Sequence, residues 1–181
     1  MTIITTPIAG LCIIEPTVFG DSRGFFMESF NQKAFQQATG LDVTFVQDNH
    51  SRSSEGVLRG LHYQIQQPQG KLVRVTSGRV FDVAVDVRRA SPTFGHWHGV
   101  ELSDENHRQF WVPAGFAHGF LVLSKTADFL YKTTDYYAPE FECCIRFDDP
   151  DIGIAWPLHG EPILSLKDQQ GLALHEAQVF E

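Results

Sequence analysis

The stretch Gly56 to Gln64, GVLRGLHYQ, sets Arg59, His62 and Tyr63 among glycines and aliphatic side chains. A segment built from Gly, Val and Leu normally spends its positions on packing, so a cation and an imidazole there need a reason. Inside a barrel, a base beside a fixed positive charge would meet a substrate carrying a removable proton. On a half-exposed strand the same residues would simply face water. Three groupings compete for the chemistry. His96-Trp97-His98 with Glu101 has the look of a metal-ligand set, because strand residues two apart share a face; the alternative is two surface histidines flanking a tryptophan. His118 sits between Gly115 and Gly119 and beside Phe116 and Phe120, where backbone can approach a ligand closely; the alternative is a buried, hydrogen-bonded core histidine.

The third grouping is dispersed along the chain: His62, Lys71, Tyr131 and Asp168, with Arg59. A proton next to a ketone becomes acidic only if the enolate oxygen is stabilised as it forms, and a lysine or arginine in a dry pocket does that. A neutral histidine held in one tautomer by a carboxylate is a suitable base near neutral pH. Inverting the carbon then needs a donor on the opposite face, which a tyrosine can be. Taken singly, Tyr131 is also an ordinary strand aromatic and Asp168 a surface carboxylate in the polar run Lys167 to Gln170.

The elements that would position these groups are mostly β. Asn31 to Thr39 is the early helix: Asn31 can cap it, Ala34, Phe35 and Ala38 have helical spacing, and Gly40 ends it. Strands are expected at Thr44–Asn49, Val57–Gln64, Lys71–Gly78, Arg79–Val87, His96–Leu102, Gln109–Val112, Gly119–Leu123, Asp128–Thr134 and Cys144–Phe147, separated by turns rich in Pro and Gly. Many short strands without intervening helices indicate a double-sheet jelly roll or closed barrel, with the tail after Pro150 wrapping it. From Val80 to Val87 the odd positions are apolar and should face packed core, while Asp82 and Asp86 point elsewhere. Lys71, Val73 and Val75 share one face, opposite Leu72 and Arg74. Arg59 and His62 have opposite parity in a regular strand, so both reach one cavity only if the backbone bends; Gly60 is where a bulge costs least.

The 181 residues suit a single domain spanning 1–181, and the 15 phenylalanines bias the apolar content toward sheet. A formal charge of −8 argues against a general binder of nucleic acids or membrane surfaces. Cys12, Cys143 and Cys144 form no disulfide framework and match no zinc spacing, and no leader or spanning segment is evident, so a cytoplasmic setting is expected.

Several motifs in one order then point to a family. Phe19 to Phe30, Phe45 to Ser51, Gly56 to Gln64, Gln69 to Arg74, Phe81 to Arg88, Gly115 to Leu121 and Tyr131 to Tyr137 together resemble dTDP-4-dehydrorhamnose 3,5-epimerases along nearly the whole chain. The resemblance implies an all-β, cupin-like double-stranded β-helix with a short N-terminal helix and a wrapping C-terminal tail. It further implies a homodimer that exchanges N-terminal strands and needs no cofactor and no metal. The implied reaction is epimerisation at C3 and C5 of dTDP-4-dehydro-6-deoxy-D-glucose to dTDP-4-dehydro-L-rhamnose, in dTDP-L-rhamnose biosynthesis. Carried over by motif, His62 is the base, Asp168 orients it, Lys71 with Arg59 stabilises the enolate, and Tyr131 is the acid. Arg23, Glu28, Gln47, Asn49, His118, Glu142 and Lys167 become substrate contacts, with Arg23 and Glu28 supplied by the partner subunit. Phe26 and the tyrosines offer thymine a flat surface. Glu140 competes with Glu142 for its role. Gln64 stands where a cupin metal site would want a second histidine, and His96 and His98 match no functional position. Relatives on this scaffold that epimerise only C5 or only C3, or move the ketone, share the His-Lys core and remain alternatives. So does a metal-binding, non-catalytic cupin that senses a sugar nucleotide.

Overall fold

The computed structural model describes residues 1–181, and its strands follow the period-2 alternation of the sequence. The N-terminal part forms β1 (Thr2–Thr5), β2 (Cys12–Glu15), and a separate hairpin of β3 (Phe19–Asp21) with β4 (Gly24–Phe26). Helix α1 (Gln32–Thr39) begins at Asn31, whose side chain accepts from the Ala34 N–H, and ends at Gly40 in the left-handed conformation, as expected. Nine further strands follow: β5 (Gln47–Ser54), β6 (Leu58–Gln64), β7 (Lys71–Ser77), β8 (Arg79–Asp86), β9 (Trp97–Ser103), β10 (Gln109–Val112), β11 (Phe116–Val122), β12 (Thr126–Thr133) and β13 (Glu142–Cys144). One turn of helix, α2 (Leu166–Gln169), lies in the tail.

The strands assemble into two facing antiparallel sheets, one in the order β1-β2-β10-β7-β12-β5, the other β13-β6-β11-β8-β9. That is the double-stranded β-helix of the cupins. Between the sheets lies an apolar core of Val73, Val75, Val80, Ala84, Phe110, Phe120 and Phe129. Phe120 and Phe129 stack across it with ring centres 4.1 Å apart. A second core forms where the tail folds over the outer face of the smaller sheet, burying Leu61, Val83, Val85, Ile145, Leu174 and Val179. A third holds α1 against the larger sheet through Phe35, Trp111, Ile14 and Leu72.

Strand β8 shows why both of its faces are needed. Its odd residues pack under the tail, as the alternation suggests, but the even face is not idle. Val80 and Ala84 enter the inter-sheet core, and Asp82 is fully buried there. Strand β7 divides as expected, with Val73 and Val75 inward and Leu72 outward.

Most strand ends fall within about two residues of expectation, and three strands depart further. β5 runs to Ser54 rather than stopping at Asn49, because as the outer strand of its sheet it pairs with β12 over its whole length while showing water one face. Its apolar signal is lost although its ladder is complete. β11 begins at Phe116 and passes through Gly119, where a Cβ would stand 2.6 Å from the Arg59 carbonyl oxygen. β13 lies at Glu142–Cys144 rather than Cys144–Phe147, placed by its pairing with β6.

Candidate active site

The site is built on an irregularity in β6. His62 pairs with His118 of β11 and Arg59 with Phe120, so three steps along β6 match two along β11. The extra residue removes the parity conflict and turns Arg59 and His62 into one cavity. Gly60 sits at that point with φ +117, and a Cβ there would stand 2.6 Å from both the Gly119 Cα and the His118 carbonyl oxygen. Only glycine fits.

The cavity, about 560 Å³, opens between the two sheets. The smaller sheet lines it with Arg59 and His62 of β6, His118 of β11 and Glu142 of β13. The larger sheet contributes Gln47 and Asn49 of β5, Lys71 of β7 and Tyr131 of β12. Lys167 and Asp168 reach it from α2.

His62 Nε2 lies 2.7 Å from Asp168 Oδ1, a close contact that is not aligned as a hydrogen bond. The attraction is therefore mainly that of a carboxylate for an imidazole. Asp168 is itself tightly held: Oδ1 accepts from the Gly60 N–H at 3.1 Å and Oδ2 from Ser165 Oγ at 2.6 Å. Burial works to raise its pKa, but contacts from His62, Ser165 and Gly60 outweigh burial and hold it well below the usual carboxylate range. Ser165 and Asp168 also form the capping box of α2, so the carboxylate is fixed by the helix that carries it.

Lys71 Nζ donates to the His62 carbonyl oxygen at 3.3 Å and has no carboxylate within ion-pair distance. Burial lowers its pKa to about 8, although Glu142 and Asp82 pull the other way. Arg59 likewise lacks an ionic partner; its Nε and Nη2 donate to Ser53 Oγ at 3.1 and 3.0 Å. Two cations thus enter the cavity uncompensated by direct ion pairs, which suits an anion or a developing negative oxygen. Tyr131 has its pKa raised, first by burial and then by Glu142.

The remaining lining residues form fixed pairs. His118 Nε2 contacts both Asp82 oxygens at 2.9 and 3.0 Å, and burial raises the Asp82 pKa against the pull of His118 and Lys71. Glu142 accepts from Lys167 Nζ at 2.7 Å and from the Tyr137 hydroxyl at 2.8 Å. Gln47 donates to Asn49 Oδ1 and accepts from the Tyr137 N–H, each at 3.0 Å.

Of the residues expected at the site, Arg23, Glu28 and Phe26 stand apart, with Phe26 exposed on the β3–β4 hairpin. Arg23 pairs with Asp21 on the β3–β4 hairpin, and Glu28 accepts from Asn31 Nδ2 at 3.0 Å. Neither lines this chain's own cavity. Of the two competing glutamates, Glu142 lines the cavity and Glu140 does not. His98 contacts Phe110 and Trp97 packs under the tail, while Glu101 is 3.9 Å from Arg79, so the His96-His98-Glu101 set does not converge. Reading the sequence left out Ser165 and gave Asp82 no part in the site. The Ser165-x-x-Asp168 spacing is a capping-box signal, and an aspartate inside the run Val80 to Val87 marks a buried partner.

Fold and cavity together define a cupin-like jelly-roll protein equipped to move protons at carbon beside a carbonyl group. Comparison with known proteins narrows this. Residues 5–176 match the family model described as dTDP-4-dehydrorhamnose 3,5-epimerase. The chain is 65% identical over 173 residues to the dTDP-4-dehydrorhamnose 3,5-epimerase of Pseudomonas aeruginosa, covering 96% of each. Among solved structures it is similar to the dTDP-6-deoxy-D-glucose-3,5-epimerase RmlC of Legionella pneumophila in complex with dTDP-4-keto-L-rhamnose. That similarity has a TM-score of 0.95 and 59% identity, covering 97% of this chain and 93% of that one. ChmJ, a 3'-monoepimerase from Streptomyces bikiniensis in complex with dTDP-quinovose, is more distant at 38% identity and TM-score 0.89, covering 94% and 86%. The chain belongs to the dTDP-4-dehydrorhamnose 3,5-epimerase family.

Proposed function

We propose that the protein is an isomerase that epimerises dTDP-4-dehydro-6-deoxy-D-glucose at C3 and C5, giving dTDP-4-dehydro-L-rhamnose in the formation of dTDP-L-rhamnose. The observation that carries the mechanism is the meeting of His62 and Lys71 in one cavity from facing sheets, with Tyr131 beside Lys71 on the larger sheet. The C4 carbonyl makes the hydrogens on C3 and C5 acidic. With Asp168 at Nε2, the other ring nitrogen of His62 takes such a proton, and the charge gained by the ring is balanced by the carboxylate. Electrons flow to the C4 oxygen, where the Lys71 ammonium, with Arg59 near it, stabilises the enolate.

Inversion needs the new proton to come from the opposite face. Tyr131 stands on the sheet opposite His62, and burial in the neutral form keeps its hydroxyl proton available to the enolate carbon. Solvent then resets the acid and the base for the second carbon. Gln47, Asn49, His118, Glu142 and Lys167 hold the sugar nucleotide, and the scheme uses no metal and no cofactor.

The working unit in this reading is a homodimer of single-domain chains. The β3–β4 hairpin leaves Phe19 and Phe26 63% and 68% exposed, a poor arrangement in water for an isolated chain. Passing it to a second copy would cover these rings and bring Arg23, Glu28 and Phe26 to the partner's nucleotide. No helix is long and apolar enough to cross a membrane. The reading places the enzyme in the cytoplasm with a sugar nucleotide, not a nucleic-acid polymer, as its ligand.

Proton NMR of the reaction in deuterated water tests the assignment. Deuterium at both C3 and C5 of the product is expected. Label at one carbon alone would overturn the double reaction and favour a monoepimerase such as ChmJ.

A further inference from the structure

Opposite His62 in the β13–β6 ladder stands Cys144, a residue the mechanism does not use. Cys144 shares a strand face with Glu142, two residues away, and so points to the cavity side; Cys143 points the other way, into the core beneath the tail. One donor atom each from His62, Cys144 and Asp168 lies within 4.8 Å of the others. We propose that these three residues form an inhibitory site for a thiophilic divalent cation, zinc being the best fit.

The donor set argues for this. Imidazole, thiolate and carboxylate are the ligands zinc selects, and three protein donors with one open position is a common zinc arrangement. Donors about 2.0–2.3 Å from a tetrahedral ion stand roughly 3.3–3.8 Å apart. The present set brackets that spacing, with the His62–Asp168 contact at 2.7 Å being tighter. With Asp168 held in place by Gly60 and Ser165, rotations of His62 and Cys144 that move their donors by about 1 Å close the shell. His62 Nε2 is a buried ring nitrogen that faces Asp168 Oδ1 at 2.7 Å without an aligned hydrogen bond, so an ion can enter between the two donors. His62 and Asp168 line the cavity, from which water can take the fourth position. His96, His98 and Glu101 offer no rival site, because they do not converge.

Binding is a substitution and not a redox step. The Cys144 S–H bond breaks, its proton passes to solvent, and a metal–sulfur bond forms while His62 and Asp168 donate lone pairs. The base is then occupied and proton abstraction stops. The inhibition rests on the function proposed above, but the metal site does not.

The full-length protein titrated with cobalt(II) tests the two separately. A thiolate-to-cobalt charge-transfer band in the near ultraviolet is expected in wild type and in Cys143→Ser, and is expected to be lost in Cys144→Ser and His62→Ala. Zinc should displace the band. It should also inhibit solvent exchange at the sugar, reversibly with a chelator and at least about tenfold more weakly in Cys144→Ser. Absence of the band in wild type, its survival in Cys144→Ser, or equal zinc inhibition of wild type and Cys144→Ser would each overturn the proposal. A clear band in a protein inactive on the dTDP sugar would uphold the site and refute the proposed reaction instead.

Discussion

Replacing Lys71 by methionine should make the protein more stable and inactive at once. Burial holds Lys71 at a pKa of about 8 in the fold against an ordinary lysine value of 10.5, so keeping it charged at pH 7 opposes folding. The shift corresponds to about 3 kcal/mol. Water in the open cavity screens the charge, and the variant gives up the 3.3 Å bond to the His62 carbonyl, so a net gain of about 2 kcal/mol is expected. For a chain of this length that is a rise in Tm of about 4–8 °C. The gain has a definite pH signature. Below pH 8 both folded and unfolded wild type carry the proton and the full penalty applies. Between pH 8 and about 10.5 only the unfolded state keeps it, so wild type gains stability as pH rises and the variant's advantage shrinks. Thermal unfolding followed by circular dichroism at pH 7 and pH 10 measures this, alongside solvent exchange at the sugar. A variant less stable than wild type at pH 7, or an advantage that does not change with pH, would refute the reasoning; so would retained exchange.

Other outcomes follow from the same geometry. His62→Ala should lose about 10²–10⁴ in solvent exchange while nucleotide binding, measured by calorimetry, changes little; near-normal exchange would remove His62 as the base. Tyr131→Phe should still exchange protons but fail to invert C5, and an unchanged product by NMR would count against its role. Mixing Arg23→Ala chains with His62→Ala chains should restore about a quarter of wild-type activity, because each mixed dimer assembles one intact site. No recovery would mean that Arg23 serves its own chain. At Asp86, burial works to raise the pKa, but Arg88, Ser91 and Thr93 hold it at about 2. This carboxylate therefore contributes about 2 kcal/mol above pH 4, lost as pH falls toward 2. Urea unfolding of Asp86→Asn should show a deficit at pH 7 that closes near pH 2; a constant deficit would contradict the ion-pair account.

Local rules made some parts of this molecule legible and hid others. Asn31 and Gly40 bracket α1 because capping is a short-range matter, and the alternation in β7 is clean because its two faces meet different cores. Gly60 was readable as the place for an extra residue because Arg59 and His62 could not otherwise share a face. The outer strand β5 was cut short because half of its residues meet water and carry no apolar signal. The duty of Asp82 lay out of sight, since its partner His118 is set by the β8–β11 ladder. Arg23 and Glu28 mark the outer limit of what one chain explains, because their expected use lies with a second copy.

The Asp168 carboxylate closes the first turn of α2, receives an N–H from β6 and faces the His62 imidazole. One group thereby latches the tail to the barrel and arms the reagent. On the mechanism proposed above, a nascent or nicked chain whose tail has not yet seated carries His62 without its counter-charge, so proton abstraction waits on the completed wrapping.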